Sequence, residues 1–281
     1  MSRAPHALRR GPSWREYAWP AAHGSLLWQL AERDVRARYR QSWLGMAWVV
    51  LTPLMMLAIY VFVLGHVLQV RWPSGSVAQP AGTAAFALNV YAGLAVFGFI
   101  ADCVGRAPML VAGQPQLVKK IVFPLGLLAW VNVAASLVPM GVSALLLIGL
   151  ALMQTGPWPA SALLLPLAWL PLVPLGLGVS WLLAATGAYV RDVGHVAAMV
   201  MSVLLFLSPI FYPLTSLPAA LHPWLALNPL ALPIEFTRAL VGSGPFPAWP
   251  ALLLHLLGCS AFAALAAVVF NRLRPGFADV V

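Results

Sequence analysis

Arg33, Arg36, Arg38 and Arg40 fall within eight residues of ERDVRARYRQSWLGMAWVVLTP, the stretch from Glu32 to Pro53. Guanidinium groups are planar forks that recognise phosphate and carboxylate oxygens. Their spacing suits contact with an anionic headgroup. Around them residues 24–42 read as an amphipathic helix: Leu27, Ala31, Val35 and Tyr39 recur at four-residue steps, with Leu30 beside them. Arg33, Arg36 and Arg40 take the other faces. Glu32–Arg36 and Asp34–Arg38 are i,i+4 pairs in the favourable order. A basic helix of this pattern lies in the headgroup plane rather than crossing the bilayer. Two readings stand. The helix is a positive anchor before a first spanning segment, or it touches an anionic headgroup and governs lateral admission of a lipid-linked substrate.

Other chemistry is excluded by what the spacing lacks. No Gly-Lys pair exists, hence no phosphate-binding loop of the G-x-x-x-x-G-K-[ST] kind. The seven acidic residues are scattered, and no His/Cys/carboxylate cluster has metal spacing. Energy for any work must come from an ion gradient or from another subunit. An ion-coupled carrier keeps ionisable groups at membrane depth; the one candidate, Asp102, stands four residues before Arg106 and reads as half of an i,i+4 ion pair. Cys103 and Cys259 lie in apolar segments and read as reduced packing residues.

The elements that must position these residues are membrane helices. Of 281 residues, 62% are hydrophobic and 8% charged, against about 25% charged in a soluble domain. Six apolar segments can be drawn, at 43–68, 84–105, 124–153, 161–188, 193–211 and 249–270. The fourth carries Pro166, Pro171 and Pro174, and the fifth meets Pro209. Basic residues are retained on the cytoplasmic side. An inside N-terminus puts the eight arginines of residues 1–42 there, with Arg106, Lys119, Lys120, Arg191, Arg272 and Arg274, leaving only Arg71 and Arg238 outside. Both termini are then cytoplasmic, and the net charge of +9 faces a leaflet and a partner rather than nucleic acid. The first 25 residues lack an apolar core of signal-peptide length, so the first span is read as its own insertion signal.

Two connections stand out. RAPMLVAGQPQLVKKIVF, after the second span, is short, basic at its end and broken by Pro108 and Pro115. It reads as a plain connector or as a short helix that docks into a partner's groove. Between Pro209 and Pro247 the chain is apolar but proline-rich, which forbids one continuous helix. Two short helices dipping into the outer leaflet fit, since broken backbone at that depth must pack on protein or line water; an ordinary surface loop is the alternative. Glu235 and Arg238, at i,i+3, are expected to pair. Trp48, Tyr60, Tyr91, Phe97, Phe206, Phe211 and Tyr212 are aromatic residues on segments able to line a channel.

Three motifs together resemble the ABC-2 type permeases that export polysaccharides. RDVRARYRQSWLGMAWVVLTP is similar to that family's RD-x-x-x-RY-x-x-S-x-LG-x-x-W-x-x-x-x-P start, through Arg33, Asp34, Arg38, Tyr39, Ser42, Leu44, Gly45, Trp48 and Pro53. QPQLVKKIVFP is similar to its inner loop, through Leu117, Val118, Lys120, Phe123 and Pro124, with Gln114 where Asn is usual and Pro115 a further departure. The third runs from YVRDVGHV through FLSPIFYPL to LNPLALPIEFTR; it matches at Arg191, Asp192, Ser208, Pro209, Tyr212, Asn228, Pro229, Ile234, Glu235 and Arg238.

The resemblance implies an all-α integral membrane protein of the bacterial inner membrane. It would have six transmembrane helices over 43–270, an amphipathic interfacial helix in a cytoplasmic segment 1–42, a re-entrant outer hairpin between helices 5 and 6, and a cytoplasmic tail 271–281. It implies a homodimer bound to two copies of a cytoplasmic ABC ATPase, which supplies ATP and Mg; no cofactor and no metal is expected in this chain, which is not itself an enzyme. The cargo would be a polyprenyl-diphosphate-linked glycan, O-antigen first, with capsular polysaccharide or teichoic acid as alternatives. Arg33, Arg36, Arg38, Tyr39 and Arg40 would meet membrane lipid and the headgroup; Gln114, Leu117, Lys119 and Lys120 would couple to the ATPase; the seven aromatics would line the channel. Two rivals are an ABC-2 permease for small molecules and a membrane glycosyltransferase. The second would need an inside carboxylate pair, and Asp192 is the only acid in the third inside segment.

Overall fold

The computed structural model describes residues 23–39, 43–67, 83–118, 123–155, 160–218, 220, 224–225, 227–242 and 244–280, and every regular element among them is helical. Helix α1 spans Gly24–Tyr39. A 3-10 turn, Gly45–Ala47, then leads into α2, Trp48–Tyr60, which runs through Pro53 and widens into a π-helical stretch, Val61–Val67. The basic and apolar halves of the opening motif are therefore separate helices. Gly45 has φ 50, a left-handed conformation that a Cβ disfavours by roughly 1–2 kcal/mol. Gly45→Ala is expected to lower the melting stability of the nanodisc-held subunit by about that amount, and Gly45→Asn by less, because Asn visits this region more readily.

The rest of the bundle comprises α3 (Thr83–Arg106), α4 (Met109–Ala112), α5 (Pro115–Val118), α6 (Leu127–Thr155), α7 (Leu165–Trp169), α8 (Leu172–Tyr189), α9 (Val193–Leu207), α10 (Ala231–Leu240), α11 (Trp249–Leu273) and α12 (Phe277–Val280). Among the described residues, five runs are long and apolar enough to cross a membrane: Gly45–Val67, Ala85–Arg106, Leu127–Met153, Ala160–Tyr189 and Trp249–Val280. The fifth of the six expected segments differs. Its helix, α9, has 15 residues, where a full crossing takes about 20. Ser208 turns extended (ψ 149) and Pro209 supplies no N–H, so the helix stops there. Within Ala160–Tyr189 the expected proline effect also appears: the helix is interrupted between Trp169 and Leu172, at Leu170 and Pro171.

Helix α8 is the hub, packed against α11, α3 and α6. Small residues make this possible, as they do wherever helices without a water-driven attraction must approach closely. A Cβ on Gly178 would lie 2.6 Å from the Phe262 ring and 3.1 Å from the Ala263 Cα of α11. One on Gly187 would lie 2.5 Å from the Pro108 carbonyl, so the loop after α3 is seated directly on the end of α8. Cys103 and Cys259 are free and buried.

Candidate functional site

At the end of the bundle that carries Arg106, helix α1 lies against the start of α6. Ala31 is buried with Leu127 and Val131, and Leu26, Leu27, Leu30, Trp130 and Ala134 pack around them. The buried face does not follow four-residue steps. Each residue turns a helix by 100°, so a step of four drifts by about 40° and the true face runs i, i+4, i+7, i+11. From Leu27 that series reaches Ala31, Asp34 and Arg38, whereas Val35 stands off it. The face that begins apolar therefore ends in an ion pair turned toward α3.

There it meets a second ion pair. Arg38 donates from Nη2 to Asp34 Oδ2 at 2.9 Å and from Nη1 to Asp102 Oδ2 at 3.0 Å. Arg106 donates from Nη1 to Asp34 Oδ2 at 2.7 Å and from Nη2 to Asp102 Oδ2 at 3.0 Å. The four side chains form a closed ring of alternating charge, with one oxygen of each carboxylate, Oδ2, shared by both guanidiniums. The Arg38 side chain is only 18% exposed. Burial alone would lower its basicity, but Asp102 and Asp34 outweigh that and hold its pKa above the ordinary value.

Polar contacts carry the ring into the bundle. Arg106 Nη2 also donates to Ser136 Oγ at 2.6 Å and to the Asn132 carbonyl at 3.2 Å. Asn132 Nδ2 donates to the Cys103 carbonyl at 3.0 Å and to Ser180 Oγ at 2.9 Å. Helices α3, α6 and α8 are tied together where Arg106 ends α3 and the loop to α4 begins.

The sequence-selected basic residues divide accordingly. Arg33 and Arg36 are exposed, and Arg36 pairs with Glu32 at 2.5 Å on the surface. Arg38 faces inward to the two carboxylates rather than outward to a headgroup, a correction that follows from its place on the packed face. Tyr39 closes α1. Arg40, Lys119 and Lys120 lie outside the described residues. In the following loop, the Gln114 carbonyl accepts from Leu117 N at 3.0 Å and so opens α5. Leu117 is half-buried against the core, and Met109 is exposed. Helix α12 touches α5 and α8.

At the opposite end, three of the chosen aromatics come together. The Tyr60 and Phe211 ring centroids are 4.9 Å apart, and Phe211 and Phe206 are 5.8 Å apart, with Phe206 67% exposed. Tyr212 donates its hydroxyl to the Leu207 carbonyl at 3.0 Å, which closes the turn after α9. Trp48 and Phe97 are half-buried. Tyr91 is removed from the lining set: it is 1% exposed and sits inside the core of its own subunit. Its helix, α3, is the most enclosed of the five long apolar runs, so an aromatic there meets protein by default.

The expected Glu235–Arg238 pair forms, at 2.7 Å. Sequence reasoning missed what surrounds it. Arg238 is 2% exposed, and it also donates to the Ile210 carbonyl at 2.9 Å and the Asn89 carbonyl at 3.2 Å. Asn228 Nδ2 donates to Ser208 Oγ at 3.0 Å, joining two motif residues 20 positions apart. Trp169 Nε1 donates to Thr237 Oγ1 at 2.8 Å. Helix α10 is buried along most of its length between α3, α7 and α11.

Long apolar helices, an ion-paired basic helix at one end and a buried short helix at the other are the features of an integral membrane protein. Residues 25–242 match the ABC-2 type transporter family. The chain belongs to that family. It is similar to the O-antigen export system permease protein RfbA of Myxococcus xanthus, 26% identical over 91% of this chain and 95% of that one. The protein of the same name from Klebsiella pneumoniae is 25% identical over the same shares. The polysialic acid transport protein KpsM of Escherichia coli is 28% identical over 75% of this chain and 79% of its own.

Proposed function

We propose that the chain is the membrane subunit of an ABC exporter that moves a lipid-linked polysaccharide, O-antigen on a polyprenyl diphosphate, outward across the bacterial inner membrane. ATP is hydrolysed by a separate subunit present in two copies. The observation that carries this reading is the likeness to O-antigen export permeases over 91% of the chain. A capsular glycan is the second reading, favoured by the likeness to a polysialic acid transport protein.

In this reading the chain crosses the membrane six times, with α9 and the turn after it completing the fifth crossing and both termini in the cytoplasm. Residues 208–247 form the re-entrant outer hairpin. Two copies of the chain enclose the channel. Helices α2 and α9 support this, because both keep apolar faces such as Met55, Ile59, Met199 and Val203 exposed on the single subunit. The row Tyr60–Phe211–Phe206 gives a sliding glycan flat aromatic faces against which the C–H faces of sugar rings rest weakly and repeatedly. Arg33 and Arg36 face the diphosphate headgroup, and the loop 107–118 receives the ATPase.

The test is reconstitution with the cognate ATPase in lipid vesicles. The isolated chain should hydrolyse no ATP, and the complex should couple ATP turnover to glycan transport. ATP turnover by the chain alone at the rate of the complex, or a complex that moves no glycan, overturns the reading. In the same assay R33Q/R36Q should weaken substrate capture by roughly fivefold per arginine, since each basic group near an anionic surface contributes about 1 kcal/mol. Unchanged capture would reduce these arginines to anchors.

A further inference from the structure

We propose that Asp34, Arg38, Asp102 and Arg106 are positioning residues of transport: they form the rigid joint through which the loop 107–118 carries helix α1, so that loop and helix move as one body. The inference rests on the exporter reading for the source of the motion. The joint itself rests on geometry.

Four ion-pair contacts of 2.7 to 3.0 Å close the ring. Two of them are local to a helix, and two bridge chain positions 64 and 72 residues apart. Guanidinium–carboxylate pairs are directional and planar, so a closed ring of them resists rotation as well as separation. Arg106 is the last residue of α3, and the loop starts at the next position. Pro108 is pressed onto Gly187 of α8, and α4 packs on the same helix. Two residues, Ala107 and Pro108, separate Arg106 from α4.

Helix α1 is held differently on its other side. Its described attachments to the bundle are the apolar contact around Ala31 and the ring, and the chain enters α2 through the left-handed turn at Gly45. An apolar contact allows sliding; the ring fixes the rotation of α1 about its own axis. That rotation decides where Arg33 and Arg36 point. Asp34 lies between them in sequence, and 100° per residue turns both outward once Asp34 is held inward. The ring therefore aims the cations that meet the headgroup and ties their aim to the loop.

The test uses the full chain in complex with its ATPase in nanodiscs, with Cys103 and Cys259 replaced by Ala. Spin labels go at two exposed positions, Ala37 on α1 and Met109 on the loop. In the otherwise unaltered protein the distance between labels should be narrow and equal in the nucleotide-free and ATP-bound states. D34R/R38D preserves net charge and the pair within α1, but sets like charges against Arg106 and Asp102. It should broaden the distance, leave ATP hydrolysis within about twofold and lower glycan transport by about tenfold. Arg38→Lys, which keeps the charge but not the fork, should fall between the unaltered protein and D34R/R38D in transport. Should D34R/R38D fail to insert, the milder D34N/R38Q must show the same split between hydrolysis and transport. Transport at the unaltered level in these variants overturns the proposal, and so does a parallel fall of hydrolysis and transport with the label distance still narrow. Absence of ATP-driven transport in the unaltered complex counts against the exporter reading instead, and the label distance still reads the joint.

Discussion

Arg238→Gln is expected to destabilise the subunit by about 3–5 kcal/mol, the range for removing one partner of a buried ion pair. The Arg238 guanidinium spends three donors on three elements: Glu235 within α10, the Asn89 carbonyl in the first third of α3, and the Ile210 carbonyl in the turn after α9. At 2% exposure no water replaces them. Glutamine is shorter, uncharged and has one amide, so it leaves the Glu235 carboxylate without its cation and at least one carbonyl unpaired. Arg238→Lys should fall between, because a point charge satisfies Glu235 but does not fork to both carbonyls. The measurement is equilibrium unfolding in mixed detergent micelles, with E235Q and E235Q/R238Q completing a double-mutant cycle. The double variant should be less destabilised than the sum of the two single ones. A melting midpoint for Arg238→Gln equal to that of the unaltered chain would show that α10 is held by its apolar contacts alone.

The four local pairs, Glu32–Arg36, Asp34–Arg38, Asp102–Arg106 and Glu235–Arg238, were legible because a helix fixes their spacing whatever surrounds it. That two of them interlock was not legible, because nothing local in Asp34 or Asp102 marks a partner more than 60 positions away. The same limit hid the bond between Ser208 and Asn228, two residues already singled out as motif members. Apolar runs were found at nearly their observed positions, since hydropathy is a property of the run itself. The exception is α9, where hydropathy continues past Pro209 and the backbone does not. Tyr91 was misjudged for a related reason. Aromatic character marks what a side chain can do on a surface, but whether α3 has a free surface depends on how α8 and α10 pack against it.

Phe277→Ala is the second large effect, and it bears on the segment beyond the last long helix. Residues 271–273 continue α11, and the helical path runs on through a 3-10 turn at 274–276 into α12, where Phe277 is 0% exposed. Its ring meets Phe270 edge-on at 5.4 Å and Tyr189 at 5.9 Å, and Tyr189 donates to the Leu273 carbonyl at 2.8 Å. Truncating a buried phenylalanine to alanine removes about 3–5 kcal/mol, more than a helix of four residues can replace with its own hydrogen bonds. The expected outcome is local release of residues 274–280, not loss of the bundle, since α8 and α11 stay packed through Gly178 and Phe262. Helix α12 touches α5, so the short helix that carries Leu117 should lose its support at the same time. Amide exchange over 276–280 should then be faster in the variant than in the unaltered chain, and exchange over 115–118 should rise in parallel. Phe277→Leu, which refills most of the volume, should restore much of both. Added exchange at 276–280 without added exchange at 115–118 would mean that the carboxy-terminal fold steadies α11 alone and gives the loop nothing.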